Sequence, residues 1–389
     1  MVDINPDDKL YDEMIDAFIA AHPGIQVETT HAANGSGEVM ASLISSGTLP
    51  NVFVSGAEQI NVYTEYLYDW RDDIDVFEQF YDGYIESITS DDGSVYGLPN
   101  GSINVGLVYN KDVLAEAGYD SIPLTIDGFE QMCKDISEKT GAVPFICSAK
   151  NTWILTQMMD AYTVTRELPG KECAEKISSG EATVTTVSDH FDNYWRMMDV
   201  AKTCTEGESL LEYDWEYASN KLANGEVAII TYGDWCYKTV AQFNPDVNLG
   251  FSSYPVTNDE ADTVTPTSTN QVALLFKDAD NFELGKELAV FLTTSYESAR
   301  YIVGGYGSVS CNKHSTEVDE SLINDVLRQS SEIGSTTDRA VDRLQNYYPV
   351  DLNANYMAEA GEVVQGYLIG MYSVEEADAA IDELWPVAE

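Results

Sequence analysis

Basic residues are scarce in this sequence. The 389 residues include 20 lysines and arginines against 66 aspartates and glutamates, a formal net charge of −46 at pH 7. The acidic residues are spread along the whole chain, so most of them are expected to be solvated surface groups. A surface of this sign repels nucleic acids and anionic membrane headgroups, and neither is expected to be a partner.

Long hydrophobic runs are also missing. The longest apolar stretches, such as 227–230 and 272–276, are far shorter than the roughly 18 residues that a membrane-spanning helix needs. A hydrophobic content of 44% still supports buried cores, and the length suits two domains. The first helix follows almost at once and no signal peptide precedes it, so we expect a mature form whose leader has been removed.

Metal-binding patterns are absent as well. The four histidines lie far apart, and the six cysteines fall at wide, irregular spacings without a CxxC pair. No zinc motif results, and neither a metal nor a cofactor is expected. Buried thiols and one or two disulfides both remain possible.

The familiar catalytic motifs are missing too. The chain has no GxSxG, no HExxH and no GxxxxGK[ST] sequence, and AANGSGEVM lacks the third glycine of a dinucleotide fingerprint. With 66 carboxylates, a pair of catalytic acids as in a glycosidase remains open, but no pair stands out.

The apolar residues that are present predict an α/β fold. Leu10, Met14, Ile15 and Phe18 recur at helical spacing, and the sequence HPG ends this helix. Strands are predicted at 25–29 and 52–54 on either side of a helix over 39–46, an alternation typical of a parallel sheet covered by helices. Further predicted segments are helices at 125–136 and within 188–223, strands at 143–147, 249–255 and 272–276, and a polar linker over 256–271.

The chain is also rich in the side chains that bind uncharged polyols. It contains 24 tyrosines and 6 tryptophans, and several of them follow predicted strands beside Asp, Glu or Asn. Aromatic faces stack on the C–H faces of sugar rings, while carboxylates and amides hydrogen-bond their hydroxyl groups. In open α/β sheets ligands bind beyond the carboxyl ends of strands, which is where these residues fall.

Four stretches of the chain, in this order, resemble the family 1 extracellular solute-binding proteins of ABC importers, the group that contains maltose-binding protein. They are HPGIQVE with SGTLPNVFV; VYGLPNGSINVGLVYNKDVLAEAG; LANGEVAIITYGDW; and KELAVFLTTSYESARYIV leading to GGYGSVS. The carboxyl-terminal helices fit as well, so the resemblance covers most of the chain. One departure is the short amino-terminal segment VDIN, where the family usually has a full first strand.

The resemblance implies an α/β fold of two lobes with a ligand cleft between them, joined by three hinge crossings at 102–106, 252–260 and 304–310. Lobe 1 would comprise residues 1–103 and 262–306, and lobe 2 residues 104–261 and 307–389. Asn100, Ser102 and Asn104 would then lie at the floor of the cleft. The alternative is a polar turn without a ligand.

The resemblance also implies a set of ligand-binding positions. Trp235 and Trp153 match stacking residues, and Glu58 matches an acid that accepts sugar hydroxyl bonds. The full expected set is Trp235, Glu58, Trp153, Asp234, Tyr306, Asn104, Ser102, Asn34, Gln59 and Tyr356. Tyr356 stands for a late aromatic position that Tyr347 or Tyr348 could also fill.

These features predict an extracellular, lipid-anchored and monomeric binding protein. It would capture a neutral oligosaccharide by hinge closure and deliver it to an ABC permease, without catalysis. Its leader and lipid anchor would have been removed.

Two alternatives stay open. A polyamine would suit the acidic chain through cation–π contacts, and a peptide would use the same scaffold. A secreted carbohydrate-active enzyme would instead consume its sugar.

Overall fold

The computed structural model describes residues 2–3, 9–31, 36–57, 59–81, 83–90, 92–205, 208–336, 338–349, 352 and 356–386. The strands are β1 Val2–Asp3, β2 Thr30–His31, β3 Val52–Ser55, β4 Leu98–Asn110, β5 Val143–Ile146, β6 Val227–Gly233, β7 Leu249–Ser252, β8 Thr265–Leu275, β9 Val309–Ser310 and β10 Ala340–Asp342. Strand β4 includes residues 102–106, which the resemblance assigns to a hinge crossing, and β8 includes part of the predicted linker over 256–271.

The α-helices are α1 Lys9–Ala21, α2 Ser36–Ser46, α3 Gln59–Tyr63, α4 Ile74–Phe77, α5 Lys111–Ala117, α6 Ile126–Lys139, α7 Thr152–Thr163, α8 Gly170–Ser178, α9 Asp192–Thr205, α10 Trp215–Ala223, α11 Tyr237–Phe243, α12 Phe282–Thr294, α13 Tyr296–Arg300, α14 Asp325–Thr336, α15 Tyr356–Leu368 and α16 Val374–Glu383. Short 3₁₀ helices span Thr64–Tyr66, Glu86–Ile88, Glu208–Glu212, Asp234–Cys236, Glu260–Asp262, Lys313–Glu317, Glu320–Leu322 and Leu344–Tyr347, and a π-helix spans Tyr301–Tyr306.

The chain folds into two compact units, each made of two separate segments. Unit 1 contains Met1–Ile103 and Ser268–Asn324, and unit 2 contains Asn104–Thr267 and Asp325–Glu389. The lobes expected from sequence change over earlier in the chain, at 261/262 and 306/307. The boundaries differ because 265–267 pair with β10 in unit 2, while 309–310 pair with the first part of β4 in unit 1.

Unit 1 is built on a small mixed sheet. β1 pairs in parallel with β2 and β3, and β3 pairs antiparallel with β8, with Ser55 opposite Val272. Helix α1 contributes Tyr11, Met14, Ile15 and Phe18 to the hydrophobic core of unit 1, and they are buried because they share one helical face. The predicted helices at 10–19 and 39–46 and the strand at 52–54 are confirmed.

The predicted strand at 25–29 is wrong. Only Thr30–His31 form β2, where they pair with Val2 and Asp3 of β1. Residues 25–29 have no regular secondary structure and alternate between half-buried and exposed positions. The alternation of apolar residues that predicted a strand there therefore reflects burial of one side of the segment, which pairs with no strand among the described residues.

Unit 2 is organised around a sheet that is covered on both faces. β5 pairs in parallel with β6, and β4 lies antiparallel to both β6 and β7. Leu107 and Phe145 belong to the hydrophobic core on one side, whereas Val108 and Ile146 belong to the core on the other. Burial on both faces explains why these strands read as continuous apolar runs, and the predicted strands at 143–147 and 249–255 are confirmed in large part.

The helices of unit 2 begin and end at identifiable side chains. Asn110 accepts hydrogen bonds from the backbone N–H groups of Asp112 and Val113 at the start of α5, and Gly118, with φ 93°, closes it. Ser373 and Glu376 form a capping box at the start of α16, as the sequence predicts.

The predicted linker over 256–271 is wrong in its second half. Residues from Thr265 onward belong to β8, and Thr265, Ser268, Thr269 and Gln271 are buried. Hydroxyl groups of this run find partners: Thr265 Oγ1 donates to Ser253 Oγ at 2.7 Å, and the hydroxyls of Thr269 and Ser87 share a hydrogen bond of 2.9 Å. Satisfied threonine hydroxyls allow a polar run to form a buried strand.

All six cysteines are free thiols, and every one except the half-buried Cys204 is buried. Cys133 on α6 and Cys204 on α9 are hydrogen-bonded to one another. Within the described ranges, no helix combines the length and apolar character that crossing a membrane would demand.

A buried ion pair fastens the segment around β10 to α7. Arg343 Nε donates to Asp160 Oδ2 at 2.8 Å, and both side chains are almost fully buried. Burial raises the pKa of the Asp160 carboxyl group, and the Arg343 guanidinium opposes that rise. Each charge of the pair therefore offsets part of the desolvation cost of the other.

We predict that Asp160→Asn lowers the free energy of unfolding by about 3–5 kcal/mol, because it leaves the Arg343 charge buried without its counter-ion. Chemical denaturation monitored by circular dichroism measures the loss. The matched control is Asp338→Asn, which removes the exposed partner of Arg166 and should change stability by less than about 1 kcal/mol. Equal effects of the two substitutions would refute this account of the buried pair.

Candidate functional site

The parallel pair β5 and β6 brings several aromatic side chains to one edge of the sheet in unit 2. Parallel strands have their carboxyl ends at the same edge. Trp153 follows β5 at the start of α7, while Tyr232 lies near the end of β6 and Trp235 follows in the next turn. Trp215 opens α10, the helix that precedes β6.

These four residues form one group, the aromatic cluster: Trp153, Trp215, Tyr232 and Trp235. The ring centroid of Tyr232 lies 5.9 Å from that of Trp153, 5.3 Å from that of Trp235 and 6.4 Å from that of Trp215. Tyr232 is buried, whereas the three tryptophans are half-buried. Tyr232 thus forms the base of the cluster, and the three tryptophans keep part of their surface accessible.

Asn151 joins the helix starts that carry Trp153 and Trp215. Asn151 lies two residues before Trp153 in the sequence, and its side-chain carbonyl accepts the backbone N–H of Trp215 at 2.8 Å. Asp214 caps α10 by accepting the backbone N–H of Tyr217 at 2.9 Å, and Lys150 Nζ donates to Asp214 at 2.9 Å. The hydrogen bond from Lys150 lowers the pKa of Asp214, so this cap is charged at neutral pH.

The turn between β5 and α7 contains a strained residue. Ser148 has φ 47°, a left-handed conformation that residues other than glycine rarely adopt, and it is fully buried. Backbone strain of this kind persists only where the surrounding structure enforces it, and it concentrates near functional sites. Ser148 lies four residues before the start of α7, the helix whose second residue is Trp153.

Gly233 supports Trp235 directly. A methyl group on the Gly233 α-carbon would overlap the six-membered ring of Trp235, so the indole lies against the strand backbone itself. Only glycine leaves this space empty. In the sequence GDW, the glycine therefore allows the Trp235 indole to lie directly on the backbone of the strand that precedes it.

Asp234 begins the 3₁₀ turn that contains Trp235, and its side chain is fully buried. Its Oδ2 atom accepts the backbone N–H of Asn104 at 3.1 Å, Asn104 Nδ2 at 3.0 Å and the hydroxyl of Ser330 at 3.0 Å. Among the described residues, none donates to Oδ1 with hydrogen-bond geometry. Burial raises the pKa of Asp234 to about 7, against the opposing effect of the hydrogen bonds from Ser330 and Asn104.

The structure also locates the predicted site residues of unit 1. The hydroxyl of Tyr306, at the end of the π-helix, accepts Asn270 Nδ2 at 3.0 Å, and Tyr306 is half-buried. Ser102 is buried and pairs with Val309, and Gln59 is half-buried at the start of α3. Glu58 and Asn34 lie outside the described residues.

Three polar predictions, Asn100, Asn104 and Asp234, have hydrogen-bond partners within the protein, and a fourth predicted residue, Tyr356, is buried. Asn100 is buried and its Oδ1 accepts the hydroxyl of Ser298 at 2.9 Å, while Asn104 is buried against Asp234. Tyr356 lies in the hydrophobic core of unit 2, where its ring packs on Tyr348 and Trp385. In this structure Asn100, Asn104, Asp234 and Tyr356 therefore support the fold and do not present a side chain to solvent.

The sequence reasoning missed Trp215, Tyr232 and Asn270. Trp215 falls in a helical region rich in aromatics, where nothing sets it apart. Tyr232 belongs to a predicted strand, although its place two residues before Asp234 puts it at the strand's carboxyl end. Asn270 falls in the predicted linker. The cap sequence at Asp214 was the one local signal that could have placed Trp215 at an exposed helix start.

Over residues 3–295 the chain matches the family model described as bacterial extracellular solute-binding protein. It is 23% identical over 284 residues to the melibiose/raffinose/stachyose-binding protein MelE of Bacillus subtilis, a match that covers 71% of this chain and 65% of MelE. It is 31% identical over 121 residues to the diacetylchitobiose binding protein DasA of Streptomyces coelicolor, covering 30% of this chain and 28% of DasA. The chain therefore spans just under two thirds of the length of MelE.

Solved structures show the same fold. The solute-binding protein RafE in complex with raffinose superimposes with a TM-score of 0.79 at 20% identity over 99% of both chains. A sugar transporter from Bacillus licheniformis in complex with stachyose gives 0.74 at 16% identity, over 99% of this chain and 98% of that one. These matches confirm the predicted α/β fold class of two-lobed solute-binding proteins.

We predict that Gly233→Ala displaces the Trp235 ring, because the added methyl group and the indole would occupy the same space. Near-ultraviolet circular dichroism, which reports fixed aromatic rings, should lose intensity while the far-ultraviolet spectrum is unchanged. The control is Gly334→Ala in α14, where a Cβ meets no atom within 4 Å and should leave both spectra unchanged. A Gly233→Ala protein with the wild-type near-ultraviolet spectrum would show that the ring position does not depend on this glycine.

Proposed function

The chain belongs to the bacterial extracellular solute-binding proteins, and from this premise we propose that it captures a neutral oligosaccharide for uptake by an ABC importer. MelE, by its name, binds melibiose, raffinose and stachyose, and RafE was solved with raffinose. We extend this substrate class to the present chain. Raffinose and stachyose are the first sugars to test.

The aromatic cluster is the observation that carries the proposal. Three half-buried indole rings surround one buried tyrosine at the carboxyl end of β6. Partly accessible aromatic rings suit the apolar faces of sugar rings, and burial of those faces supplies affinity. We assign stacking to Trp153, Trp215 and Trp235, and a supporting role to Tyr232.

Polar recognition is proposed for residues around Tyr306. The Asn270 amide donates to the Tyr306 hydroxyl at 3.0 Å and orients the ring, and we assign the Tyr306 side chain to contact with the hydroxyl groups of the sugar. Ser102, Gln59, Glu58 and Asn34 are proposed on the resemblance alone. The buried Asn104 and Asp234 are assigned to supporting the turn that carries Trp235.

The remaining steps are proposed from the family. Units 1 and 2 would act as the lobes of a hinged monomer, and sugar binding would favour the closed form that the membrane permease recognises. The protein would be extracellular, tethered by a lipid anchor, and would return its sugar unchanged. Affinity would come from stacking and desolvation, and specificity from hydrogen bonds.

We predict that raffinose or stachyose raises the Tm of the purified protein and that Trp235→Ala abolishes the shift. A ligand at about 100 times its Kd stabilises the native state by roughly 2.7 kcal/mol, which a thermal-shift assay resolves. Phe243→Ala, which removes an exposed aromatic ring elsewhere in unit 2, is the control and should retain the shift.

The same screen includes spermidine, peptides and other neutral oligosaccharides, with chromatography of the sugar afterwards. A shift with spermidine or a peptide and none with any sugar would replace the sugar assignment within the same scaffold. Recovery of cleaved sugar would mean that the protein is an enzyme. A sugar-induced shift that survives Trp235→Ala would overturn the role of the aromatic cluster.

A further inference from the structure

Asp234 carries a carboxylate at a buried position, where a negative charge is costly for the fold. The side chain is fully buried, its hydrogen bonds all converge on Oδ2, and Oδ1 lacks a partner of hydrogen-bond geometry among the described residues. A buried charge without a counter-ion is costly for a folded protein. A residue that breaks a packing rule in this way is expected at a functional position.

The partners of Asp234 come from separate parts of unit 2. Asn104 is the first residue of this unit on β4, and Ser330 lies on α14, the helix with which the chain enters the unit for the second time. Asp234 itself begins the 3₁₀ turn that holds Trp235. One carboxylate oxygen therefore ties β4 and α14 to the turn that presents the indole.

The groups acting on this carboxylate are neutral. They are the backbone and side-chain amides of Asn104, the hydroxyl of Ser330 and the backbone N–H of Trp235. The neighbouring Cys236 thiol has its pKa raised by burial and by the Asp234 charge, so it stays protonated near neutral pH. The charged residues of α14, which are Asp325, Arg328 and Glu332, are exposed, and on α11 Tyr237 and Lys238 are half-buried.

We propose that Asp234 is a positioning residue for ligand binding: its ionised carboxylate fixes the Trp235 turn against β4 and α14, and loss of the charge releases the indole from its binding orientation. A carboxylate accepts stronger hydrogen bonds than a carboxylic acid or an amide does. The three bonds on Oδ2 weaken when the charge is lost, although the side chain keeps its shape. This inference rests on the proposed function for its ligand, but the coupling of Asp234 to Trp235 does not.

The charge should affect stability and binding in opposite directions. Burial raises the pKa of Asp234 in the folded protein from its ordinary 3.8 to about 7. Between these values the folded state holds a proton that the unfolded state has lost, so this group's contribution to stability falls as the pH rises from about 4 to 7. Binding should instead strengthen as the pH rises through about 7, because the charged form positions Trp235.

The test compares wild type with Asp234→Asn, a variant of equal shape without the charge. At pH 8 we expect the Tm of Asp234→Asn to rise by roughly 3 °C or more, while its Kd for raffinose or stachyose weakens at least about tenfold. The wild-type Kd should weaken between pH 8 and pH 6, and the Kd of the variant should not change over this range. A residue that served stability alone would lose Tm and affinity together.

A ligand-free readout separates this inference from the sugar assignment. The emission of Trp235, taken as the difference between wild type and Trp235→Phe, should titrate with a midpoint near pH 7 and should not titrate in the Asp234→Asn background. Ser330→Ala should move the midpoint to higher pH, because the lost hydrogen bond favours the charged form.

If wild type binds none of the sugars but this titration occurs, the sugar assignment falls and the coupling stands. Emission independent of pH in wild type, or an Asp234→Asn protein with wild-type affinity, would overturn the proposal.

Discussion

The parallel hydrogen-bonded pairing of β5 with β6 is the constraint on which the candidate site depends. It places the carboxyl ends of two strands side by side, so that two tryptophans 82 positions apart in the sequence, Trp153 and Trp235, both reach the ring of Tyr232. The apolar residues on both faces of these strands fix the register, since a shift of one position would exchange the two faces. The aromatic cluster is therefore a consequence of how the core of unit 2 packs.

Much of this arrangement could be predicted from the sequence, and the reasons are local. The first helix, the strand at 52–54 and the capping box at Ser373 each follow from the spacing of a few neighbouring residues. The family followed from the order of four short motifs, and it is confirmed. Trp235 and Trp153 were identified through that resemblance, and the structure brings both to one cluster, although their contact with a ligand stays a prediction.

What could not be predicted depends on partners distant in sequence. The strand expected at 25–29 does not form. The chain pairs with β1 only at Thr30 and His31, and no property of 25–29 reveals where that pairing begins. The polar run at 265–271 resembles a linker because the hydroxyl groups that satisfy Thr265 and Thr269 belong to the distant Ser253 and Ser87. Likewise the burial of Asp234 follows from Asn104 and Ser330, which lie about 100 or more residues away on either side.

The contact between Gly233 and the Trp235 indole bears on how the ligand preference of such a scaffold can change. Because the ring lies on the backbone, a side chain at position 233 would displace the indole surface for which we propose sugar stacking. Asn151, directly before α7, and Asp214, directly before α10, both accept backbone N–H groups of α10. Neither contact uses an indole ring, so we expect that Trp153 or Trp215 can be exchanged without altering the path of the chain. Among relatives that share the GDW turn, sequence differences should therefore be concentrated at positions 153 and 215, while the turn itself stays the same.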